Sequence, residues 1–402
     1  MSMFRNWLGT NPGPIGIDLG TETLKLAQAS AAGKGPGREL VAASSVPVPP
    51  NARGDFRARV AFFQQAIPKL LADGGFRGRR AVIALPASCM HVHRLRVPAM
   101  DEQRLHGTIA FELQGKLPID PERAMMRHVI AGEAYENDEP VDEVIVMAAE
   151  RGLMEHLLGA AARAKLDVIG VTAEPQATID CFASAYAGTP LAGATRLYVD
   201  IGVRATRAYI ARGPQLLFAR VIATGADAFA QAVASALNVT PGAARELRRR
   251  HGAAPAARAA QADRAAQAAR AAQAAEKRAA SSSDDGATAT AVAAPPQVDP
   301  AITSMVAACA PLGRALCDEL HMCIRYCEHT FPAWPVEHVC FVGGEANNHA
   351  LCRQLAAHLD LPAQIGDPLA KLKPTRPIAG LDPTRPQPAW TVAVGLAVGS
   401  VG

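Results

Sequence analysis

The chain has few aromatic residues, 5% Phe, Trp and Tyr over 402 residues, and a net charge of only +4. A nucleic-acid face built from stacking platforms and a basic stripe needs both, so the body of the chain is not expected to bind nucleic acid. There is no C-x-x-C pair among the eight cysteines, Cys89, Cys181, Cys309, Cys317, Cys323, Cys327, Cys340 and Cys352. Reduced, buried thiols are the favoured reading. Cys323 and Cys327 stand one helical turn apart near His321 and His329, but no second ligand pair has zinc-type spacing. No run reaches the roughly 18 to 20 uninterrupted apolar residues of a membrane span, and M-S-M-F-R-N-W-L-G lacks the apolar core of a leader, so a cytoplasmic protein is expected. The phosphate loop G-x-x-x-x-G-K-[ST] is missing, and Gly33, Gly35 and Gly37 have neither the spacing nor the strand-to-helix setting of G-x-G-x-x-G. A nucleotide would need another architecture.

What is present is a globular composition, 49% hydrophobic, with a repeated local order. I-G-I-D-L, T-L-K-L-A-Q-A and E-L-V-A-A-S-S-V between Pro14 and Val46 read as three short strands. A helix over about 56–72 and an apolar strand at 81–85 follow. Hairpin strands leading into a strand-helix-strand crossover predict a mixed sheet. R-L-Y-V-D-I-G, A-T-R-A-Y-I-A and Q-L-L-F-A-R-V-I at 196–222 restart the pattern. Asp18-Leu19-Gly20 then matches Asp200-Ile201-Gly202, 182 positions on, with Lys25 opposite Arg207.

Between the two starts, 91–170 reads as a smaller inserted unit: a helix near 101–117, strands at 126–131 and 143–149, and a helix near 152–165. From about 252 to 300 the sequence is low in complexity, an Ala/Arg/Gln stretch followed by S-S-S-D-D-G-A-T-A-T, predicted to be a frayed helix and flexible loop. Nine Lys or Arg against three Asp or Glu fall between Arg245 and Arg278, so the rest of the chain is mildly acidic. A long helix over 300–329, a strand before Gly343 and Gly344, a helix over 348–359 and a last helical run near 390–398 complete the order.

Each strand-Asp-x-Gly-turn-strand hairpin can aim backbone N–H groups at phosphate oxygens while its Asp reaches a hydrated Mg²⁺. Alone, D-x-G is ordinary turn chemistry; two copies facing across a cleft would grip a triphosphate from both sides. Lys25 adds a mobile charge, and Thr21 and Thr206 add hydroxyl donors.

These hairpins resemble the phosphate motifs of the actin-type ATPase superfamily, which includes actin, heat-shock chaperones, sugar kinases and FtsA. Ala173-Glu174-Pro175-Gln176-Ala177 is similar to the E-P-x-A connection of the chaperones, which implies that Glu174 positions the attacking water. Arg245-Glu246-Leu247-Arg248-Arg249 looks like the adenosine-contacting A-E-x-x-K element, with Arg249 at the Lys position. Phe341 to Ala346, with Gly343, Gly344 and Glu345, looks like the turn that receives adenine and ribose. A-W-T-V-A-V-G-L-A resembles the last helix, where small residues let the lobes approach. Within the superfamily, the stretches at 84–100 and 111–122 and the D-P at 367–368 are similar to the PilM family of type IV pilus assembly proteins.

The resemblance implies an α/β, actin-like ATPase fold: two ribonuclease-H-like lobes, a small inserted α+β domain in the first and the Ala-rich, partly disordered insert in the second. Its divisions fall at 1–90 with 171–190, 91–170, 191–251 with 301–402, and 252–300. It implies ATP, held at Asp18, Gly20, Thr21, Lys25, Asp200, Gly202, Thr206, Glu246, Arg249, Gly343, Gly344 and Glu345, and Mg²⁺ at Asp18 and Asp200. It implies a cytoplasmic scaffold, at most a slow ATPase, peripheral to the inner membrane. Its partners would be the cytoplasmic N-terminal segment of a single-span PilN-like protein, other platform and motor components of the pilus, and its own copies. The alternatives are a small-molecule kinase of the sugar or acetate type, and a pseudo-ATPase scaffold. The turns Gly20-Thr21-Glu22-Thr23 and Gly202-Val203-Arg204-Ala205 depart from the small and hydroxyl residues usual there, and Glu22 adds a carboxylate near phosphate.

Overall fold

The computed structural model describes residues 12–30, 38–252, 299–378 and 380–399. The low-complexity stretch lies almost wholly outside the described residues.

Strand β1 (Pro12–Leu19) turns back into β2 (Thr23–Ser30), which pairs antiparallel with β3 (Arg38–Pro47). Helix α1 (Phe56–Asp73) starts where the Asp55 carboxylate accepts from the N–H groups of Arg57 and Ala58, satisfying two first-turn donors. Its apolar stripe of Phe56, Val60, Phe63, Ile67, Leu70 and Leu71 shares a core with Ile15, Ile17, Leu24 and Leu26. The chain then enters β4 (Arg80–Leu85), parallel to β1. With β8 (Asp167–Ala173) beside β4 and β14 (Leu372–Pro374) beside β3, the six-stranded order is β14-β3-β2-β1-β4-β8.

The second half repeats the plan. Strands β9 (Thr195–Ile201), β10 (Thr206–Arg212) and β11 (Gln215–Ile222) are antiparallel. Strands β12 (His338–Val342) and β13 (Ala363–Ile365) add parallel on the β9 side, giving β11-β10-β9-β12-β13. The duplication legible at Asp18 and Asp200 is thus a duplication of whole sheets.

The segment after β4 builds a third sheet from β5 (His91–Val97), β6 (Ala124–Glu136) and β7 (Glu139–Glu150), in the order β5-β7-β6. Helix α2 (Glu102–Glu112) closes a small core of its own, Leu105 and Ile109 against Leu95, Val97, Val144 and Val146. The β6–β7 hairpin is longer than the sequence suggested. Asn137 and Asp138 adopt φ of 51° and 64°, the left-handed pair of a two-residue turn matched to strand twist, so pairing runs to the tip.

The remaining helices are α3 (Arg151–Arg163), α4 (Glu174–Tyr186), α5 (Ala226–Leu237), α6 at 241–252, α7 (Pro300–Thr330), α8 (His349–Leu359) and α9 (Thr391–Val398). By length and composition α7 is apolar enough to cross a membrane, with mean hydropathy 1.3 in its richest window. In the fold, Leu316, Cys317, Leu320, Cys323, Ile324 and Cys327 recur at helical spacing and join the core that holds Leu216 and Phe218 of β11. Cys323 and Cys327 are therefore packing residues. Burial pushes the Cys327 thiol up to about 12, and among the described residues no three His, Cys, Asp or Glu side chains converge on a metal position.

Candidate functional site

The β1–β2 and β9–β10 hairpins set the same cross-strand pair twice. Asp18 is the register partner of Lys25, and Asp200 that of Arg207. Facing residues of an antiparallel pair lie close enough to interact directly. Lys25 Nζ is 3.3 Å from Asp18 Oδ2, and Arg207 donates from an Nη to Asp200 Oδ2 at 3.0 Å. Arg207 is longer and forked, and it also crosses to the other sheet: its Nε lies 3.1 Å from Glu174 Oε2, off the direction of a hydrogen bond.

Glu174 opens α4 just after β8, so the β4–β8 side of the first sheet aims it at the second hairpin. It also accepts from the Ala87 N–H at 3.1 Å. Asp18, Glu174 and Asp200 are 6%, 4% and 6% exposed. Burial pushes the Glu174 carboxyl up to about 7, Arg207 opposes that, and the Asp200 and Asp18 charges add to it. Burial alone would lower the Arg207 pKa, but Glu174 and Asp200 outweigh it and hold the guanidinium charged.

The rim is closed by a second set of ion pairs. Glu22, from the first turn, meets Arg53 at 3.2 Å and Arg245 of α6 at 3.3 Å, and Arg245 also reaches Asp227 at 3.1 Å. The extra carboxylate of the first turn is therefore neutralised by one arginine from each half. On the far wall β12 leads into Gly343, whose φ of 85° and place against Asp200 leave no room for a Cβ. A Cβ on Gly344 would meet open space. Glu345 pairs with the buried Arg248 of α6 and accepts from Asn348.

Residues 16–260 match the family described as type IV pilus assembly protein PilM. The chain belongs to the PilM family. No curated protein sequence matches it. Among solved structures it is similar to one titled PilM-PilN type IV pilus biogenesis complex, with 21% identity, a TM-score of 0.68, and coverage of 96% of this chain and 97% of that one. The ethanolamine utilization protein EutJ from Carboxydothermus hydrogenoformans is similar at 12% identity and a TM-score of 0.50, over 97% of this chain and 90% of its own. With the duplicated sheets, these likenesses make the fold the actin-like ATPase fold.

On this PilM fold the residues expected at the cleft divide into two groups. Asp18, Lys25, Glu174 and Asp200 come together, with Gly20 and Gly202 in the two turns and Thr21 half-buried beside the first. A Cβ on Gly20 would come within 2.7 Å of the Thr23 carbonyl. Others point elsewhere. Thr206 is fully buried and spends its hydroxyl on the Thr224 carbonyl at 2.7 Å, because its place on β10 faces the core. Glu246 bonds Arg249 and Arg250 on the outer face of α6, at spacings of three and four residues, and these arginines hold its carboxyl down at about 2. The α6 arginine turned inward is Arg248.

The cleft fits phosphate better than metal. Two cations and two glycine turns face it, and the buried Arg207 Nε, 3.1 Å from Glu174, makes no aligned hydrogen bond among the described residues. A hydrated Mg²⁺ at Asp18 and Asp200 would have to share those carboxylates with Lys25 and Arg207, each of which already faces one oxygen.

Proposed function

We propose that this PilM-family chain is a cytoplasmic scaffold of type IV pilus assembly, peripheral to the inner membrane, that binds ATP between its two hairpins. We propose further that it docks the cytoplasmic N-terminal segment of a PilN-like membrane protein, as the solved complex it resembles pairs PilM with PilN. The observation that carries the nucleotide reading is the repeated Asp–cation hairpin, the second copy tied through Arg207 to Glu174 at the end of the first sheet. For the partner segment, helix α2 and the turn before it offer a shallow groove lined by Pro98, Met100, Gly107 and Phe111, the last 70% exposed. Fast turnover is not part of the reading. The Glu174 carboxylate that would orient water is tied to the Ala87 N–H and to Arg207.

Thermal unfolding with and without ATP, beside the double variant Asp18→Asn, Asp200→Asn, tests the nucleotide site. Ligand at about 100 times its dissociation constant stabilises the native state by about 2.7 kcal/mol, a shift the double variant should lose. No shift in the folded wild type leaves the pseudo-ATPase scaffold, which the internal Arg207 pairs favour. Capture of a PilN-type N-terminal peptide, lost in Phe111→Asp, tests the groove.

A further inference from the structure

Every buried carboxylate of the cleft already faces a cation, and the cation that touches two of them is a side chain. Arg207 lies 3.0 Å from Asp200 and 3.1 Å from Glu174, thereby linking the second hairpin to the helix that leaves the first sheet. Its own repeat partner, Lys25, reaches only Asp18 among the described residues. We propose that Arg207 is the resident cation of this site. It stands where a divalent ion would otherwise bridge Asp200 and Glu174, so that phosphate is met by a guanidinium and an ammonium instead of by a metal.

Three features of the geometry support this. A divalent ion placed between Glu174 and Asp200 would lie beside a guanidinium that is only 18% exposed, where water screens their repulsion poorly. The Arg207 Nε, buried and 3.1 Å from Glu174 Oε2, makes no aligned hydrogen bond among the described residues, so its N–H is not committed to that carboxylate. A planar fork of N–H groups matches phosphate oxygens better than a single ammonium does. Gly343 packs against Asp200 Oδ1, the oxygen that Arg207 does not hold, and brings no side-chain ligand to it.

The phosphate half of this inference rests on the nucleotide reading; the metal half does not. The full chain is titrated with MnCl₂ alone, and with ATP in EDTA and in MgCl₂, for wild type, Arg207→Ser and Arg207→Lys. Wild type should take up no Mn²⁺, and its ATP affinity should differ by less than about threefold between EDTA and MgCl₂. Arg207→Ser should lose thermal stability, recover it with Mn²⁺, and bind ATP at least about tenfold more tightly when Mg²⁺ is present. Arg207→Lys, which keeps the charge, should not gain a Mn²⁺ site.

Wild-type protein that binds one Mn²⁺ per chain, with binding abolished by Asp200→Asn, would overturn the proposal even if Arg207→Ser fails to fold. A Mg²⁺ dependence of wild-type ATP binding as steep as that of Arg207→Ser would overturn it as well. Absence of ATP binding in both media would sink the nucleotide reading, while the Mn²⁺ titrations would still decide the role of Arg207.

Discussion

A carboxyl that titrates near neutrality inside a cleft makes stability depend on pH, and Glu174 is such a group. Its ordinary value is 4.5 and burial raises it to about 7 in the fold. The folded state then holds a proton that the unfolded chain has released, so the stabilisation is complete below about pH 4.5 and is lost as pH rises through about 7. Glu174→Gln removes the titration. Urea midpoints measured from pH 4 to 8 should fall for wild type relative to Glu174→Gln across that window and run parallel above it; parallel curves throughout would show that Glu174 is not held protonated. Most of this constellation could be read from the chain, because Asp18 and Asp200 announce themselves by duplication and Lys25 by its place in the hairpin. Arg207 was aligned with Lys25, but its second contact is with a glutamate on another sheet, which no local spacing encodes. Glu246 and Arg249 show the opposite case. Their separation of three on a helix is the spacing of a local surface pair, and that is what they form.

Elements were legible in proportion to their length and periodicity. The hairpins, α1 and α7 emerge from alternation or from helical recurrence. The short β13 and β14, three residues each, carry no pattern and exist because a neighbouring strand offers them an edge. β8 is read easily only once β4 is known to lie beside it. For α7 the question is which face is buried. Leu320→Ala should cost about 2–5 kcal/mol through lost packing and a residual cavity, whereas Val306→Ser, at a position 49% exposed, should stay within about 0.5 kcal/mol. Equal effects of the two in chemical denaturation would contradict a helix docked along the Leu316–Cys327 stripe. α9 sets a tighter constraint. A Cβ on Gly395 would collide with the Ala177 carbonyl of α4, and one on Gly16 with the Ala393 carbonyl of α9. Gly395→Val therefore forces backbone apart, with an expected loss of about 1–3 kcal/mol or more in thermal unfolding; an unchanged melting temperature would mean that α4 and α9 are not in such contact.

Across the whole molecule, the cleft and the inserted sheet bear on the same second sheet, so the proposed nucleotide and partner sites are expected to be coupled. Glu143 on β7 is 1% exposed and accepts from Arg96 at 3.0 Å and from the Tyr326 hydroxyl at 2.7 Å, Tyr326 lying on α7. Gln215 donates to the Ala131 carbonyl at 2.8 Å, and the Arg94 guanidinium lies over the rings of Phe218 and Tyr326. Losing a hydrogen bond to a buried charge costs about 1.5–3 kcal/mol, so Tyr326→Phe should lower stability by that order. Movement of β9 and β10 around a nucleotide has to travel through these contacts or break them. If it travels, ATP must change the affinity for a PilN-type peptide, and the peptide must change the affinity for ATP by the same factor, since both measure one coupling free energy. Calorimetric titration of each ligand in the absence and presence of the other should give two equal factors, of about five or more. Tyr326→Phe should bring both factors toward unity while leaving ATP affinity without peptide within about threefold of wild type. Factors of unity in wild type, with both ligands bound, would mean that the groove does not sense the cleft, and the protein would then be a fixed scaffold whose nucleotide serves only its stability.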